Sequence, residues 1–297
     1  MKILQIGAIG LPVRPDLKYG GTERVISYLD GVYTELGHES LVAAPGDSIV
    51  EGTLVKTIPK SLWSINGNPI KRQIAKSNKL TAQHYKTSID LLLNDRSIDV
   101  VHDHPGAGVI TTDYFKRVMH NIRTPILQTL HGTFSKGHQH LYQRWRDIAE
   151  KKERIFFNAI SNSQKIEFKQ FGIKIEEVIY HGIHTDKFTL NGSKEDYLFS
   201  IGRISPEKGQ HIAIEIAKKT GRPLVIAGEV HSVNEAYWEE MIKPNIDGDQ
   251  IKFVGPKTDE EKIPLYQKAV AFLMPIQWSE PFGLVMIEAM ACGTPVI

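Results

Sequence analysis

Two glutamates near the end of the chain, Glu280 and Glu288, are separated by seven residues. Pro281 follows the first of them, and proline suits the first position of a helix because the N–H that it lacks would have no partner there. The apolar residues that follow recur at helical spacing and predict a helix from Gly283 to Cys292. Because a helix N-terminus attracts anions, a phosphate-bearing ligand bound there could offer sugar hydroxyls to Glu280 and ribose hydroxyls to Glu288.

The end of this predicted helix and one of its faces can also be read from the sequence. Gly293 favours the left-handed backbone that often follows a helix, and Pro295 prevents the helix from continuing. One apolar face is formed by Leu284, Ile287 and Ala291. The alternative interpretation is an ordinary amphipathic helix with exposed acids, because motifs this short also arise by accident.

A pair of cations lies upstream, in the loop that follows a predicted strand. The strand ends near Ile201, and Arg203 and Lys208 lie between two glycines of the loop. Two cations in such a loop can hold a diphosphate, since charge-assisted hydrogen bonds contribute about 1.5–3 kcal/mol each. The alternative is that both residues are solvated charges on a surface turn.

Length and composition limit the proteins in which these groups could act. The chain has 297 residues, which is long for one hydrophobic core and predicts two domains. Its formal net charge of +2 does not indicate a nucleic-acid-binding protein. Cys292 is the single cysteine, so no intramolecular disulfide is expected. No apolar run is long enough for a transmembrane segment or a signal peptide, and we expect a cytoplasmic α/β protein.

The start of the chain carries a second glycine-containing loop. A predicted strand, Ile3–Ile6, is followed by the pair Gly20 and Gly21 and then by Thr22, a candidate N-cap for a helix that ends near Gly37. Glycines at a helix N-terminus let the backbone approach a ligand closely, although a plain strand-to-helix turn would have the same pattern. The glycines do not form the G-x-G-x-x-G fingerprint, which argues against a simple nicotinamide enzyme.

Two further predicted strands end in residues that could contact a ligand, one at His104 and one at His131. Ligands of open α/β sheets bind outside the carboxyl ends of the strands, so Asp103 and His104 are candidates for the acceptor side of a cleft. A metal site is the less favoured interpretation. His102 and His104 would share a face, but Asp103 points to the other face and a third ligand is missing.

Taken together, these motifs resemble the retaining glycosyltransferases of family 4, which have the GT-B fold. The resemblance rests on E-x7-E from Glu280 to Glu288, G-R-x-x-x-x-K-G from Gly202 to Gly209, and T-x-H-G ending at Gly132. It covers nearly the whole chain and implies two Rossmann-like α/β domains that face each other across a cleft. Residues 1–187 would form the acceptor-side domain and residues 188–297 the nucleotide-sugar donor domain. Within the first, residues 58–75 are expected to be irregular.

The resemblance also implies roles for individual residues. The candidates for catalysis are His131, Glu280, Arg203 and Lys208. His131 would bond a hydroxyl of the transferred sugar or orient the reacting centre, and the two cations would stabilise the departing diphosphate. The implied donor-binding residues are Gly20, Gly21, Arg203, Lys208, Val254, Gly255, Glu280, Phe282, Gly283, Leu284 and Glu288, with Val254 and Gly255 beside the nucleotide base.

Three features depart from the family pattern. His181 stands where asparagine is common, and His184 stands where aspartate is common. The sequence stops at Ile297, whereas members of the family continue, so we expect the second domain to be incomplete.

The implied reaction is the transfer of a sugar from a nucleotide-diphosphate sugar to a hydroxyl acceptor, with retention at the anomeric carbon and without a metal or other cofactor. A UDP-sugar is the first expectation for the donor, and the acceptor is unknown. No nucleic acid is expected as a partner, and peripheral contact with a membrane is compatible with the sequence. One alternative is a non-catalytic nucleotide-sugar-binding protein or partner subunit. Another is a nucleotide-sugar epimerase, which the combination of motifs argues against.

Overall fold

The computed structural model describes residues 1–63, 75–106, 108–133, 139–150, 154–190 and 192–297. Most of the segment predicted to be irregular, residues 64–74, lies outside these ranges. The chain forms two compact units, the first built mainly from residues up to His181 and the second mainly from Gly182–Ile297. No helix within the described ranges is both long enough and apolar enough to cross a membrane.

The first unit is built on a parallel sheet of seven strands. The strands are β1 (Lys2–Ile6), β2 (Glu39–Pro45), β3 (Thr53–Ile58), β4 (Val100–Asp103), β5 (Ile126–Leu130), β6 (Ile155–Ala159) and β7 (Glu177–Val178). Their order in the sheet is β3-β2-β1-β4-β5-β6-β7, which is the doubly wound order of Rossmann-like domains. The order reverses between β1 and β4, and ligands of such sheets bind outside the carboxyl ends of the strands.

Helices connect the strands of the first unit. They are α1 (Gly21–Glu35), α2 (Ser77–Asn94), α3 (Asp113–Val118), α4 (Gln139–Ala149) and α5 (Asn162–Lys169), with 3₁₀ turns at Val109–Thr111 and Met119–Asn121. Both faces of the sheet are covered, as alternate residues of β2 show. Leu41 and Ala43 belong to the larger core cluster, whereas Val42 and Ala44 pack in a second cluster with Ile26 of α1. A strand that is buried on both faces is apolar at consecutive positions, which is why these segments could be recognised in the sequence.

The second unit contains a parallel sheet of four strands in the order β10-β9-β8-β11. The strands are β8 (Leu198–Ile201), β9 (Leu224–Ala227), β10 (Ile251–Phe253) and β11 (Ala271–Phe272). The helices are α6 (Gln210–Thr220), α7 (Glu235–Tyr237), α8 (Asp259–Lys268) and α9 (Leu284–Ala291). Shorter helical turns occupy Pro206–Lys208, Ser232–Asn234, Trp238–Ile242 and Lys243–Asn245. Leu198 and Phe199 belong to different core clusters, so this sheet too is covered on both faces.

The structure corrects the predicted start of the last helix. Helix α9 begins at Leu284, and its N-cap Gly283 has a φ of 83°, so the chain makes a turn between Pro281 and the helix. The predicted helix from Gly283 to Cys292 is confirmed to within one residue at each end, whereas Pro281, expected at a favourable place for a helix start, lies before it. The predicted apolar face is only partly buried, whereas Glu288 and Ala289 are fully buried.

The start of the first helix also differs from the prediction. Helix α1 begins at Gly21 after Gly20, which has a φ of 117°, and Thr22 lies inside the first turn. The prediction that Thr22 is the N-cap is therefore wrong, because the left-handed glycine before it already makes the turn into the helix. Strands β3 and β7 were not anticipated from the sequence. Both lie at the edges of the sheet.

Candidate functional site

The loop after β8 holds the two predicted cations at the carboxyl end of the second sheet. Gly209, the N-cap of α6, has a φ of 72°, and a Cβ atom there would lie 2.0 Å from the carbonyl oxygen of Pro275. Only glycine therefore fits at this contact. The loop is further fixed by Gln210, whose Nε2 donates to the carbonyl of Arg203 at 2.9 Å. The segment between Arg203 and α6 is thus held in place by one close backbone approach and one hydrogen bond from a side chain.

Lys208 and Glu280 form an ion pair in this region. The Lys208 Nζ donates to Glu280 Oε2 at 2.5 Å and lies 4.8 Å from the centre of the Trp278 ring. The two side chains are 22% and 14% exposed, so the pair is partly shielded from water. The motif that contains Lys208 and the motif that contains Glu280 therefore meet in the folded second unit, although 72 positions separate the two residues.

Arg203 is also paired with a carboxylate. Its guanidinium lies 2.5 Å from Glu207 Oε1, and both side chains are about one-third exposed. Both predicted cations thus have acidic partners, and an incoming diphosphate would compete with Glu207 and Glu280 for them. Such competition is favourable only when the ligand offers more hydrogen bonds than the carboxylates that it replaces.

Glu288, predicted to accept ribose hydroxyls, lies fully buried in the second unit. Its Oε1 accepts a hydrogen bond from Lys262 Nζ at 2.9 Å, and its Oε2 accepts one from the Tyr266 hydroxyl at 3.0 Å. Lys262 also pairs with Asp259 at 2.8 Å. Within this structure the Glu288 carboxylate is covered by α8.

Three other predicted donor residues surround the start of α9. Phe282 is partly exposed and precedes Gly283, whose missing side chain leaves room for Met286, since a Cβ atom would lie 2.7 Å from Met286 Cε. Leu284 opens the helix and is also partly exposed. The first-turn N–H groups of an α-helix have no intrahelical partners, so this end of α9 can donate hydrogen bonds to an anion.

The predicted base-contacting residues follow β10. The N–H of Val254 donates to Ile226 and continues the sheet, and the carbonyl of Gly255 accepts from the N–H of Gly228 at 3.0 Å. A Cβ atom on Gly228 would lie 1.8 Å from the carbonyl oxygen of Gly202. The loops after β8, β9 and β10 are therefore packed tightly at the same end of the sheet.

Two residues of this sheet end were not anticipated as site residues, Glu229 and His231. Both follow β9 and are at least nine-tenths buried. Burial raises the pKa of Glu229, and burial together with the nearby Arg203 lowers the pKa of His231. Buried titratable groups at the carboxyl end of a strand are candidates for a site. The position of both residues directly after the apolar run ending at Ala227 was the signal that could have identified them.

The glycine pair of the first unit lies at the N-terminus of α1. A Cβ atom on Gly20 would lie 2.9 Å from Glu23 Oε2, so the Glu23 carboxyl group packs over this glycine. Burial raises the pKa of Glu23 to about 7. A partly neutral carboxyl group at this point repels an approaching phosphate less than a fully ionised one would.

Asp103 lies inside the first unit. It is fully buried, and its Oδ2 accepts a hydrogen bond from the N–H of Val109 at 2.8 Å. Burial raises the pKa of Asp103 to about 8. The structure therefore shows this residue holding the loop that follows β4, and its predicted acceptor-side role stays a prediction.

His104, by contrast, is brought together with His131 and His181. Its Nδ1 lies 3.0 Å from His131 Nε2, and His131 Nδ1 lies 3.2 Å from His181 Nε2. His102 packs on this group, with its ring centre 3.9 Å from that of His104, and its Nε2 contacts the Thr129 hydroxyl at 2.6 Å. Among the described residues, no group of three or more His, Cys, Asp or Glu side chains has the arrangement of a metal site.

Comparison with known proteins finds relatives that match part of this chain. The D-inositol 3-phosphate glycosyltransferase of Mycolicibacterium smegmatis is 26% identical over 168 residues, which is 51% of this chain and 38% of that protein. The chain thus matches less than half of that relative's length.

Solved structures also resemble the whole fold. One is AviGT4, a glycosyltransferase involved in avilamycin A biosynthesis, with a TM-score of 0.67, 24% identity and coverage of 100% of this chain and 78% of that one. Another is Anabaena Alr3699/HepE in complex with UDP and glucose, with a TM-score of 0.69, 22% identity and coverage of 100% and 80%. The fold is that of the GT-B glycosyltransferases, as predicted.

Two family models match adjoining parts of the chain. The model described as glycosyl transferases group 1 matches residues 184–297, and the model described as glycosyltransferase family 4 matches residues 19–187, more than half of the chain. The family expected from the motifs is thus confirmed. The family 4 match contains the T-x-H-G motif, and the group 1 match contains the glutamate and cation motifs. The chain belongs to glycosyltransferase family 4.

Proposed function

We propose that this chain binds a nucleotide-diphosphate sugar through its second unit and transfers the sugar to a hydroxyl acceptor with retention of anomeric configuration. The observation that carries the proposal is the ion pair of Lys208 with Glu280 at the carboxyl end of the sheet, formed by the loop that also contains Arg203. Cations and a carboxylate placed together suit a ligand that has both a diphosphate and sugar hydroxyls. UDP is the first nucleotide to test, because the Anabaena relative was crystallised with UDP and glucose.

The chemistry assigned to these residues is stabilisation of the leaving group. The bond between the anomeric carbon and the phosphate oxygen breaks, and negative charge develops on the departing diphosphate. Arg203 and Lys208 would stabilise that charge. The acceptor oxygen forms the new bond on the same face of the sugar, and its proton passes to a leaving phosphate oxygen. Glu280 would orient the sugar through its hydroxyls.

We further propose that no divalent metal takes part. Two side-chain cations and the free N–H groups at the start of α9 together offer the positive charge that a metal would supply. Full activity in the presence of a chelator is expected, and a loss that added Mg²⁺ or Mn²⁺ restores would contradict this part of the proposal. A cytoplasmic location also stays a prediction.

The first experiment is thermal stabilisation by UDP, GDP and ADP. A ligand at one hundred times its dissociation constant stabilises a folded protein by about 2.7 kcal/mol. We expect one nucleotide to raise the melting temperature of the wild type but not of Arg203→Ala. Arg222→Ala is the matched control, because Arg222 is a more exposed arginine of the same unit that pairs with Asp196. No shift with any nucleotide in the wild type would contradict the proposal.

Turnover then separates an enzyme from a binding protein. With the corresponding nucleotide-sugar, we expect release of the nucleoside diphosphate, at a rate that an acceptor increases. Binding without any release would favour the alternative of a non-catalytic nucleotide-sugar-binding protein.

A further inference from the structure

Three histidines of the first unit, His104, His131 and His181, form a hydrogen-bonded series that we call the imidazole chain. The nitrogen-to-nitrogen distances are 3.0 Å from His104 to His131 and 3.2 Å from His131 to His181. The rings of His104 and His131 are inclined by 29°, and those of His131 and His181 by 16°. Both distances lie within hydrogen-bond range, so His131 uses both of its ring nitrogens inside the chain.

The protonation of the imidazole chain follows from its surroundings. Burial, with a contribution from the neighbouring histidines, lowers the pKa of His104 and of His131 well below the ordinary value. Burial lowers the pKa of His181 to about 4. The three rings are therefore neutral near pH 7, and a neutral imidazole has one donor and one acceptor nitrogen. His131 must donate through one nitrogen and accept through the other.

The direction in which protons are donated along the imidazole chain follows from its buried end, His104. The Nε2 of His104 is inaccessible to water and has no hydrogen-bond partner in the part of the protein that the structure describes. A buried N–H without an acceptor is rarer in proteins than a buried acceptor without a donor. The proton of His104 is therefore assigned to Nδ1, which donates to His131 Nε2. His131 must then carry its own proton on Nδ1 and donate it to His181 Nε2.

We propose that His181 is a positioning residue, which accepts the Nδ1 proton of His131 and thereby keeps that ring in one tautomer and one orientation. His181 lies at the end of the first unit, beyond β7, and is brought to His131 across 50 positions of sequence. Its side chain is partly exposed, whereas His104 is 1% exposed. His181 is thus the end of the imidazole chain, and a ligand could take its place.

The inference rests on the proposed function for its consequence. If the transferred sugar approaches His131, one of its hydroxyl oxygens can take the place of His181 Nε2 as the acceptor. His181 then ensures that the ligand meets an N–H donor at His131 and not a lone pair. Without an acceptor at position 181, the Nδ1–H of His131 would lose its partner in the series. The opposite direction of donation, which leaves the buried Nε2–H of His104 without an acceptor, would then become similar in free energy, and the two tautomers would mix.

Nuclear magnetic resonance can test this assignment without any substrate. Protein labelled with ¹⁵N in histidine reports which ring nitrogen carries the proton, and His131→Gln assigns the signals of His131 by their loss. In the wild type we expect His131 to be protonated on Nδ1 alone. We also expect a scalar coupling across the hydrogen bond between His131 Nδ1 and His181 Nε2. A His131 proton on Nε2, or no such coupling, would overturn the proposal.

Variants of His181 sharpen the test. His181→Leu removes the acceptor, so the two His131 nitrogen shifts should converge as the tautomers mix. His181→Asn keeps an acceptor oxygen and should retain the wild-type shifts. His120→Leu is the matched control, because His120 is an exposed histidine of the same unit and should leave His131 unchanged. Wild-type His131 shifts in His181→Leu would count against the proposal. If that variant does not fold, the wild-type coupling decides.

Activity supplies a second, separable measurement. We expect His181→Leu to lower kcat about tenfold, the equivalent of one hydrogen bond, with no change in the affinity for the nucleoside diphosphate. His181→Asn should recover most of the loss. If the wild-type protein transfers no sugar, the proposed function fails, while the resonance measurements still decide whether His181 positions His131.

Discussion

At the candidate sites, the second unit brings together charged side chains of opposite sign, whereas the first unit brings together groups that burial keeps neutral. In the second unit Arg203, Lys208 and Lys262 each contact a carboxylate at 2.5 to 2.9 Å. In the first, the imidazole chain and Asp103 are held in their neutral forms by burial. Opposite charges compensate each other's loss of hydration, but groups without a counter-ion must give up their charge when they are buried.

The difference has a chemical consequence. Paired cations can exchange an internal carboxylate for an incoming phosphate with little change in their protonation. Neutral donors and acceptors instead recognise neutral partners, such as hydroxyl groups, through the direction of their hydrogen bonds. The candidate site of the second unit thus suits charged ligand groups, and that of the first unit suits neutral hydrogen-bonding groups.

The most severe test of this contrast is to break the buried ion pair of the second unit. In Lys262→Met, Glu288 and Asp259 lose their shared cation while they remain buried, and removal of one partner of a buried pair destabilises a protein by about 3–5 kcal/mol. Unfolding in urea, followed by circular dichroism, measures the change. Lys268→Met is the matched control on the same helix, because Lys268 is 46% exposed in its pair with Glu195 and should contribute less than about 1 kcal/mol. Equal losses of stability in the two variants would show that the buried ion pair contributes no more than the exposed one.

The charged cluster and the imidazole chain also differ in how far the sequence predicts them. Arg203 and Lys208 share one loop, and the family motif relates them to Glu280. Parallel strands bring their carboxyl ends to one edge, so the meeting of Lys208 and Glu280 could be expected from topology. The burial of Glu288 could not, because it depends on how α8 packs against α9. The bounds of the last helix were predicted to within one residue, but the turn between Pro281 and the helix was not, since it depends on the positive φ of Gly283.

In the first unit the sequence indicated single residues but not their association. His104 and His131 directly follow two neighbouring strands, β4 and β5, so their proximity could be expected from the topology. His181 was noticed only as a departure from the family pattern, and nothing in its local sequence places it against His131. Contacts across 50 positions depend on the packing of the whole unit, and local propensity carries no signal for them.

A second test removes one cation from the predicted phosphate site. In Lys208→Met, a nucleoside diphosphate loses one charge-assisted contact worth about 1.5–3 kcal/mol, so its dissociation constant should rise by about 10- to 150-fold. Isothermal titration calorimetry with the nucleotide that stabilises the wild type measures the change. Lys218→Met, on the exposed part of α6, is the control and should bind as the wild type does. An unchanged dissociation constant in Lys208→Met would remove Lys208 from the site.

A third test addresses the neutral side of the comparison through pH. Asp103 has a folded-state pKa of about 8 against an ordinary value of 3.8, so the folded protein keeps a proton that the unfolded chain releases. Its contribution to stability is therefore complete below about pH 4 and is lost as the pH rises towards 8, by at most about 1.4 kcal/mol per pH unit. Asp103→Asn cannot ionise, so its stability relative to the wild type should increase from pH 5 to pH 8.

Urea midpoints at pH 5, 6.5 and 8 measure this change in the stability difference. Asp113→Asn, which alters an exposed aspartate of the same unit, is the matched control. A constant difference between Asp103→Asn and the wild type across the three pH values would show that Asp103 is ionised in the folded protein.

The smallest expected effect concerns helix caps. Each unit has a helix that is capped by a threonine side chain, but only one of these two caps is a full capping box. In α8 the Thr258 hydroxyl accepts from the N–H of Glu261, and the Glu261 carboxylate accepts from the N–H of Thr258, which completes a capping box. In α3 the Thr112 hydroxyl makes only the first kind of bond, to the N–H of Phe115. Loss of such a cap costs about 0.5–2 kcal/mol. We expect Thr258→Ala to destabilise the protein more than Thr112→Ala, because Thr258→Ala also releases the Glu261 carboxylate from its fixed position. Urea unfolding of both variants measures the difference. An equal loss in the free energy of unfolding would mean that the reciprocal bond from Glu261 adds nothing. The helix caps, unlike the buried pairs, would then contribute alike in both units.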